Sequence, residues 1–461
     1  MERTSHEQKT AARSGALLRY VPRVRGAGVA LFAVLAAMMS LAGLPGPAVR
    51  VFGIPPAAGA PAAAGSQSAP VARVSGDRAY QHVLALSQKI GPHPGGTPQD
   101  RTSGEYIASQ LARDGCTVEW QPFTFPYFAV RRVALTVTDG PALHPRVMEY
   151  SPSTGEHGLT GEVVDAGLGR PGDFGGQTAA GVALRGKIVL VRRGELTFRQ
   201  KADNAADAGA AAIIVYNTQP NEFAGTLLQR TRIPAVALSG TEGQTLRDRV
   251  RAGRTIAHLD VQTVDEQRTT WNIVGTKAPA AGAGGKVLII GAHRDTVAGA
   301  PGANDNTSGV ASGLETAEVL KDVPLGVTVR FVFFGAEEDG LYGSAEYVRH
   351  LDRSRVVGMI NLDMEGVGER LIVAGRGDDT LVRTAARLAG DLGIRVEVRG
   401  AEGGSDHVNF EKAGVPVVFL FRPDDPYYDT PRDTVDRVSP ALLEASTRLA
   451  VATALAAAQT K

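Results

Sequence analysis

Two runs rich in Val, Ile and Phe, Val287–Ile290 and Val327–Phe334, most constrain what this chain can become. Each is short and continuous enough to be a strand buried on both faces, as in a parallel sheet. Each also ends in a small-residue turn that carries acid or imidazole groups: His293 and Asp295 after the first, Glu337 and Glu338 after the second. Between them a Gly302–Asn306 loop delivers Asp305 just before a helical segment, Thr307 to Lys321. Sites in open α/β sheets lie beyond the carboxyl ends of the strands. One imidazole and several carboxylates are therefore expected on one sheet edge, which is metal-ligand chemistry.

The remainder of the 461 residues leaves room for more than one domain. Charge is balanced, 49 basic residues against 48 acidic, so nothing points to a nucleic-acid partner. Cys116 is the sole cysteine, which excludes an intramolecular disulfide. Near the start, Arg13, Arg19, Arg23 and Arg25 precede an uncharged apolar run from Gly28 to Leu44. That order reads as a signal or membrane anchor over residues 1–50, with the rest of the chain exported and either released or held at the outer face of the membrane. An Ala/Pro/Gly-rich linker is expected over 51–72. Helices from about Asp77 and Pro98, then strands Thr117–Phe125 and Arg132–Thr138, form a first part over 73–141.

From 142 to 264 the character changes. Gly161–Val164, Lys187–Val191, Ala211–Tyr216 and Ile233–Leu238 read as strands, with helices Phe198–Ala208 and Thr241–Ala252 among them. No ligand spacing is visible there, since His157 and His258 stand alone. Residues 265–461 resume the first pattern: Val356–Leu362 is a strand ending at Asp363, Val415–Phe421 is a buried strand, and a helix from Pro440 closes the chain behind Ser439.

Taken singly, an H-x-D after a strand is a capped turn, and adjacent glutamates are a solvated face. Together, His293, Asp305, Glu337, Glu338 and Asp363 all follow apolar strands or open a helix. Imidazole and carboxylates suit Zn²⁺. More ligands than one tetrahedral ion needs suggest two ions bridged by a carboxylate.

The motifs GAHRDTV, PGANDNTSGV, FFGAEEDGLYGS, INLDMEG, GGSDHVNF and YDTPRDTVD resemble, in order and context, those of the M28 family of zinc exopeptidases. The likeness spans about residues 77–140 and 266–461. The intervening stretch, with RGKIVLVRRGELTFRQKADNAADAGAAAIIVYN, is similar to a protease-associated (PA) domain. The resemblance implies an α/β fold, a mixed and mainly parallel sheet flanked by helices, with an inserted PA-like β-rich domain. It implies two Zn²⁺ per chain, with His293 and Asp363 on one, Glu338 on the other and Asp305 bridging. Glu337 would be the general base, and its neighbour can face the metal because successive extended residues point to opposite sides. Asp295 would orient the His293 imidazole through its carboxylate, and Tyr428 would steady the reacting centre. Asp406 and His407 belong to a further motif near the site.

One position departs from the family pattern. Where Y-H-T-P is usual, with the histidine completing the second zinc site, this chain has Asp429. Aspartate also ligates zinc, so the expectation is a second ion held by Asp429 more weakly. The leading reading is an exported zinc aminopeptidase acting on the N-terminus of a peptide or protein, with membrane contact only through the N-terminal segment. Two others stay open: a single-zinc acyltransferase resembling glutaminyl cyclases, and a peptidase-like binding protein with impaired catalysis.

Overall fold

The computed structural model describes residues 64–174, 184–376, 379–400 and 403–459. The apolar run at Gly28–Leu44 lies outside the described residues, and among the described residues no helix is long and apolar enough to cross a membrane. The first described helix, α1 (Ala64–Ala72), falls within the Ala/Pro/Gly-rich stretch. Val71 and, just after the helix, Val74 are buried in the main core. Two valines with an apolar surface to cover outweigh the weak local composition. Next come α2 (Gly76–Val83), which a π-helical turn continues to Ile90, and α3 (Pro98–Arg113), capped by Thr97 with Pro98 at the first position.

Two long strands, β1 and β8, organise the middle of the chain. β1 (Thr117–Val137) is a single strand of 21 residues, where the local pattern suggests two. Its register shifts between Val130 and Arg132, an irregularity that bends the strand without ending it. Among the described residues β8 is the only strand paired with the stretch of β1 that holds Pro122 and Pro126, and an edge strand is where proline is tolerated. Between β1 and β8 lie β2 (Ala142–Leu143), β3 (Arg146–Val147), β4 (Leu159–Asp165), β5 (Ile188–Arg192), α4 (Phe198–Asp207), β6 (Ala212–Tyr216), β7 (Ala235–Leu238) and α5 (Gly240–Ala252). β8 (Ile256–Lys277) then runs for 22 residues, about 70 Å at the usual strand rise. Its first four residues, Ile256–Leu259, pair with β4 and its last five, Ile273–Lys277, with β10 (Thr328–Phe334) of a second sheet, so one strand serves both sheets.

The second sheet is built from β9 (Val287–His293), β10 (Thr328–Phe334), β11 (Val356–Asp363), β12 (Leu371–Ala374), β13 (Val396–Arg399) and β14 (Val417–Phe421). Its order is β13-β12-β14-β11-β9-β10-β8, and the four central strands β14, β11, β9 and β10 are mutually parallel. The helices are α6 (Thr307–Leu320), α7 (Tyr342–Arg349), α8 (Thr380–Asp391), α9 (His407–Lys412) and α10 (Pro440–Ala457). α6 is buried over almost its whole length. Gly309 permits this, because a Cβ there would lie 2.4 Å from the Leu362 carbonyl oxygen. The fold is thus the mainly parallel, helix-flanked α/β sheet expected, and the inserted sheet runs β4-β5-β6-β7 in parallel with β3 antiparallel at its edge.

Candidate metal centre

Four parallel strands place their carboxyl ends side by side, and the ligand-type residues sit there. β9 ends in His293 and β11 in Asp363, while the turn after β10 carries Glu337 and Glu338. The loop after β14 carries Tyr428 and Asp429, and the loop into α6 carries Asp305. His293 Nε2 lies 3.1 Å from Asp305 Oδ1 and 3.5 Å from Asp363 Oδ1. Ligand atoms of His293, Asp305 and Asp363 lie within 4.8 Å of one another, and so do those of Asp305, Glu338 and Asp429. The two sets share Asp305. A third set, His293 with Glu337 and Glu338, draws Glu337 against the same cluster.

The electrostatics ask for cations. Burial pushes Glu337 and Glu338 well above the usual carboxylate range, and neighbouring carboxylates add to it: Asp406 and Asp363 for Glu337, Asp429 and Asp305 for Glu338. Burial, then the other carboxylates, raise Asp429 to about 8, and Asp305 rises to about 6 despite its bond to His293. Burial alone would lower His293, but Glu337 and Asp363 outweigh it and raise the imidazole well above its ordinary value. Glu338 Oε1, Asp363 Oδ1 and Asp429 Oδ1 are buried without a hydrogen-bond partner. Carboxylates this dry persist as anions only beside compensating positive charge. The oxygen-rich set with one imidazole fits divalent zinc.

Side chains and peptide groups around the cluster hold it in place. His293 Nδ1 donates to the Asp295 peptide oxygen at 3.1 Å, which leaves Nε2 facing the carboxylates. The expected role of the Asp295 carboxylate is therefore corrected. It stands 3.9 Å from the imidazole and instead accepts the N–H groups of Glu337 (3.1 Å) and Glu338 (3.3 Å). The peptide oxygen is the better-placed acceptor for the ring, and the carboxylate oxygens are taken up by the glutamate turn. Tyr428 is half-buried, its phenol raised by burial and then by Asp429, Asp305 and Glu338. Asp406 is fully buried and is raised to about 7 by burial. His407 belongs to none of the three ligand sets and stacks on Phe419 with ring centroids 4.3 Å apart.

Several supporting residues escaped the sequence reading. The Asp433 carboxylate accepts the N–H of Asn304 (2.8 Å) and of Asp305 (2.9 Å), pinning the loop that presents the shared ligand. Asn306 caps α6 through Gly309 N and donates to the Leu362 oxygen beside Asp363. Asn272, on β8, accepts from Gly335 N and donates to Gly343 O, clasping both ends of the glutamate turn. Arg294 points away from the cluster into a fully buried ion pair with Asp100, 2.6 Å apart. Asp433 lies inside the YDTPRDTVD stretch, so residue type could have flagged it; nothing local singles out Asn272. Ala336, Met364 and Asp429 carry positive φ of 52°, 55° and 59°. Left-handed backbone in non-glycine residues is strained and clusters at functional sites, and here each residue is a ligand-type residue or adjoins one.

The Peptidase family M28 model matches residues 272–454, and the PA domain model matches residues 159–246. Aminopeptidase YwaD of Bacillus subtilis (strain 168) is 34% identical over 387 residues, 79% of this chain and 81% of that protein. Probable lipoprotein aminopeptidase LpqL of Mycobacterium tuberculosis is 31% identical over 432 residues, 83% of this chain and 85% of that protein. Among solved structures, an aminopeptidase from Aneurinibacillus sp. strain AM-1 matches with a TM-score of 0.72 and 33% identity, over 85% of this chain and 96% of its own. The Bacillus subtilis zinc aminopeptidase BSAP matches with a TM-score of 0.67 and 32% identity, over 84% and 97%.

Proposed function

The chain belongs to peptidase family M28, and from that premise we propose that it is an exported zinc aminopeptidase with two metal positions and Glu337 as its general base. The observation that carries this reading is the pair of three-ligand sets sharing Asp305 at the ends of parallel strands. His293, Asp305 and Asp363 would hold one zinc, and Asp305, Glu338 and Asp429 the other. Bound zinc supplies Lewis-acid polarisation of the peptide carbonyl and activation of water. Glu337, drawn against the cluster and buried, takes the proton from the attacking water and returns it to the leaving amine. Its backbone is held by Asp295 and by the turn that Asn272 clasps, so the carboxylate is aimed before substrate arrives. Tyr428, next to Asp429 in the chain, would steady the reacting centre through its hydroxyl.

The peptide N-terminus is the substrate end this reading favours, in keeping with the aminopeptidases to which the chain is similar. Export is supported by the arginines ahead of Gly28–Leu44 and by the lipoprotein named among the relatives. The test is hydrolysis of aminoacyl-anilides by chelated and zinc-restored protein, with free-amine and N-blocked peptides compared. Activity that disappears on chelation, returns with zinc and requires the free amine is expected. A chelated protein that keeps its rate, or equal cleavage of the blocked peptide, would overturn it.

A further inference from the structure

Asp429 reaches its ligand set from a tight turn. Thr430 N donates to Tyr427 O at 3.2 Å, so residues 427–430 close a β-turn with Tyr428 and Asp429 at its tip. Asp429 holds the third place, with a φ of 59°, and a type II turn requires a left-handed residue there. An aspartate carries its carboxylate on a single methylene. The turn backbone, more than side-chain rotation, therefore decides whether an oxygen comes within about 2.0–2.2 Å of zinc. What fixes the two corners of the turn fixes this ligand.

Both corners are held. At the far one, Asp433 N donates to Thr430 O at 3.0 Å, and the Asp433 carboxylate in turn grips the N–H groups of Asn304 and Asp305. At the near one, Tyr427 N donates to Asp425 Oδ1 at 2.9 Å, while Asn304 Nδ2 donates to Asp425 Oδ2 at 3.0 Å. The buried Asp425 thus ties the near corner to the loop that presents Asp305, a member of the same ligand set. The Tyr427 ring is clamped as well. The guanidinium carbon of Arg432 lies 3.7 Å from its centroid and that of Arg437 lies 4.1 Å from it. Arg437 also stands 3.9 Å from Asp425 Oδ1. Cations are attracted to an aromatic face, and both of these come from the chain that leaves the turn. The ring is a staple across the turn's base.

We propose that Tyr427 is a positioning residue for the second metal, its ring held by Arg432 and Arg437 so that the turn aims Asp429. The proposal rests on the reading of Asp429 as a ligand of that metal. Tyr427 belongs to none of the three ligand sets and acts only through the turn. Its contacts are those of the ring face and the peptide groups, so phenylalanine would serve in its place.

The test is zinc titration of the chelated full-length chain, read as two successive affinities. Tyr427→Leu keeps apolar bulk but offers the arginines no π face. It should weaken the second zinc on the order of tenfold, the weight of two cation–π contacts. The first zinc, on His293, Asp305 and Asp363, should keep its affinity, and Tyr427→Phe should restore the second. Arg432→Gln should weaken the second zinc by less, and adding it to Tyr427→Leu should cost nothing more. Unchanged second-zinc affinity in Tyr427→Leu, equal weakening of both zincs, or a Tyr427→Phe variant no better than Tyr427→Leu would overturn the proposal. Asp429→Ala in the same titration separates the two ideas. If it leaves the second zinc unchanged, the ligand reading fails, whereas a loss in Asp429→Ala with none in Tyr427→Leu removes the positioning role alone.

Discussion

The two parallel sheets of this molecule share an architecture and differ at the ends of their strands. Beyond β9, β10, β11 and β14 lie His293, Glu337, Glu338, Asp363 and Asp429, buried carboxylates among them with oxygens that no protein donor meets. Beyond β5, β6 and β7 lie Arg192, Asn217 and Ser239. There the polar groups serve one another: Asn217 donates to Asn221 O and accepts from Thr218 N, and Ser239 caps α5 through Glu242 N. Among the described residues, all three ligand sets belong to the sheet of β9, β10, β11 and β14. A parallel sheet offers a site at that edge but no chemistry. Chemistry comes where the fold leaves buried charge unneutralised, and that strain is tolerable only if a ligand completes it.

The sharpest way to break the contrast is at Glu337. Glu337→Gln should retain zinc and thermal stability while lowering kcat about 10²–10⁴-fold, the range for loss of a general base. Near-normal turnover would show that the buried charge there is only structural. Asp433→Ala should come next. Removing the acceptor for Asn304 and Asp305 N–H loosens the shared ligand, and a loss of about 10–100-fold in zinc affinity or activity is expected, as for groups that orient metal ligands. Zinc titration of the variant with unchanged affinity would refute the role.

Asp429 gives a smaller effect of opposite sign. Asp429→His should tighten the second metal and restore activity at low zinc, because a neutral imidazole replaces an anion already crowded by Asp305 and Glu338. Equal zinc dependence in the variant and the parent would mean that Asp429 does not ligate. The smallest effect is on the stability of chelated protein. Asp305 and Asp429 titrate near 6 and 8 in the fold against an ordinary 3.8, so the folded state binds more protons across that interval. Their contribution is complete below about pH 4 and lost as the pH rises to about 8. Thermal melts of metal-free protein should show Tm falling by a few degrees between about pH 5 and pH 8, with zinc cancelling the slope. A metal-free Tm that rises across the same interval would contradict the raised values.

Much of this was legible in the chain because it is local. Apolar runs of strand length, each followed by an acid or imidazole, identify strand ends that could converge, and Asn306 before Thr307 or Pro98 after Thr97 mark helix starts by side-chain chemistry alone. Residue type and order therefore determined the sheet class, the ligand-type residues and the absence of such spacing in the inserted stretch. What the tertiary structure decided depends on partners far apart in sequence. Asn272 clasps a turn more than sixty residues later, and Asp433 grips a loop that precedes it by more than a hundred. The Asp295 carboxylate serves Glu337 and Glu338 rather than the imidazole beside it. The continuity of β8 across both sheets had no local sign either, since pairing partners on two sides hold together a strand whose middle is polar. A hydrogen bond or a burial cost is set by what the folded chain brings within a few ångströms, and one-dimensional spacing records that only for neighbours along a helix, strand or turn.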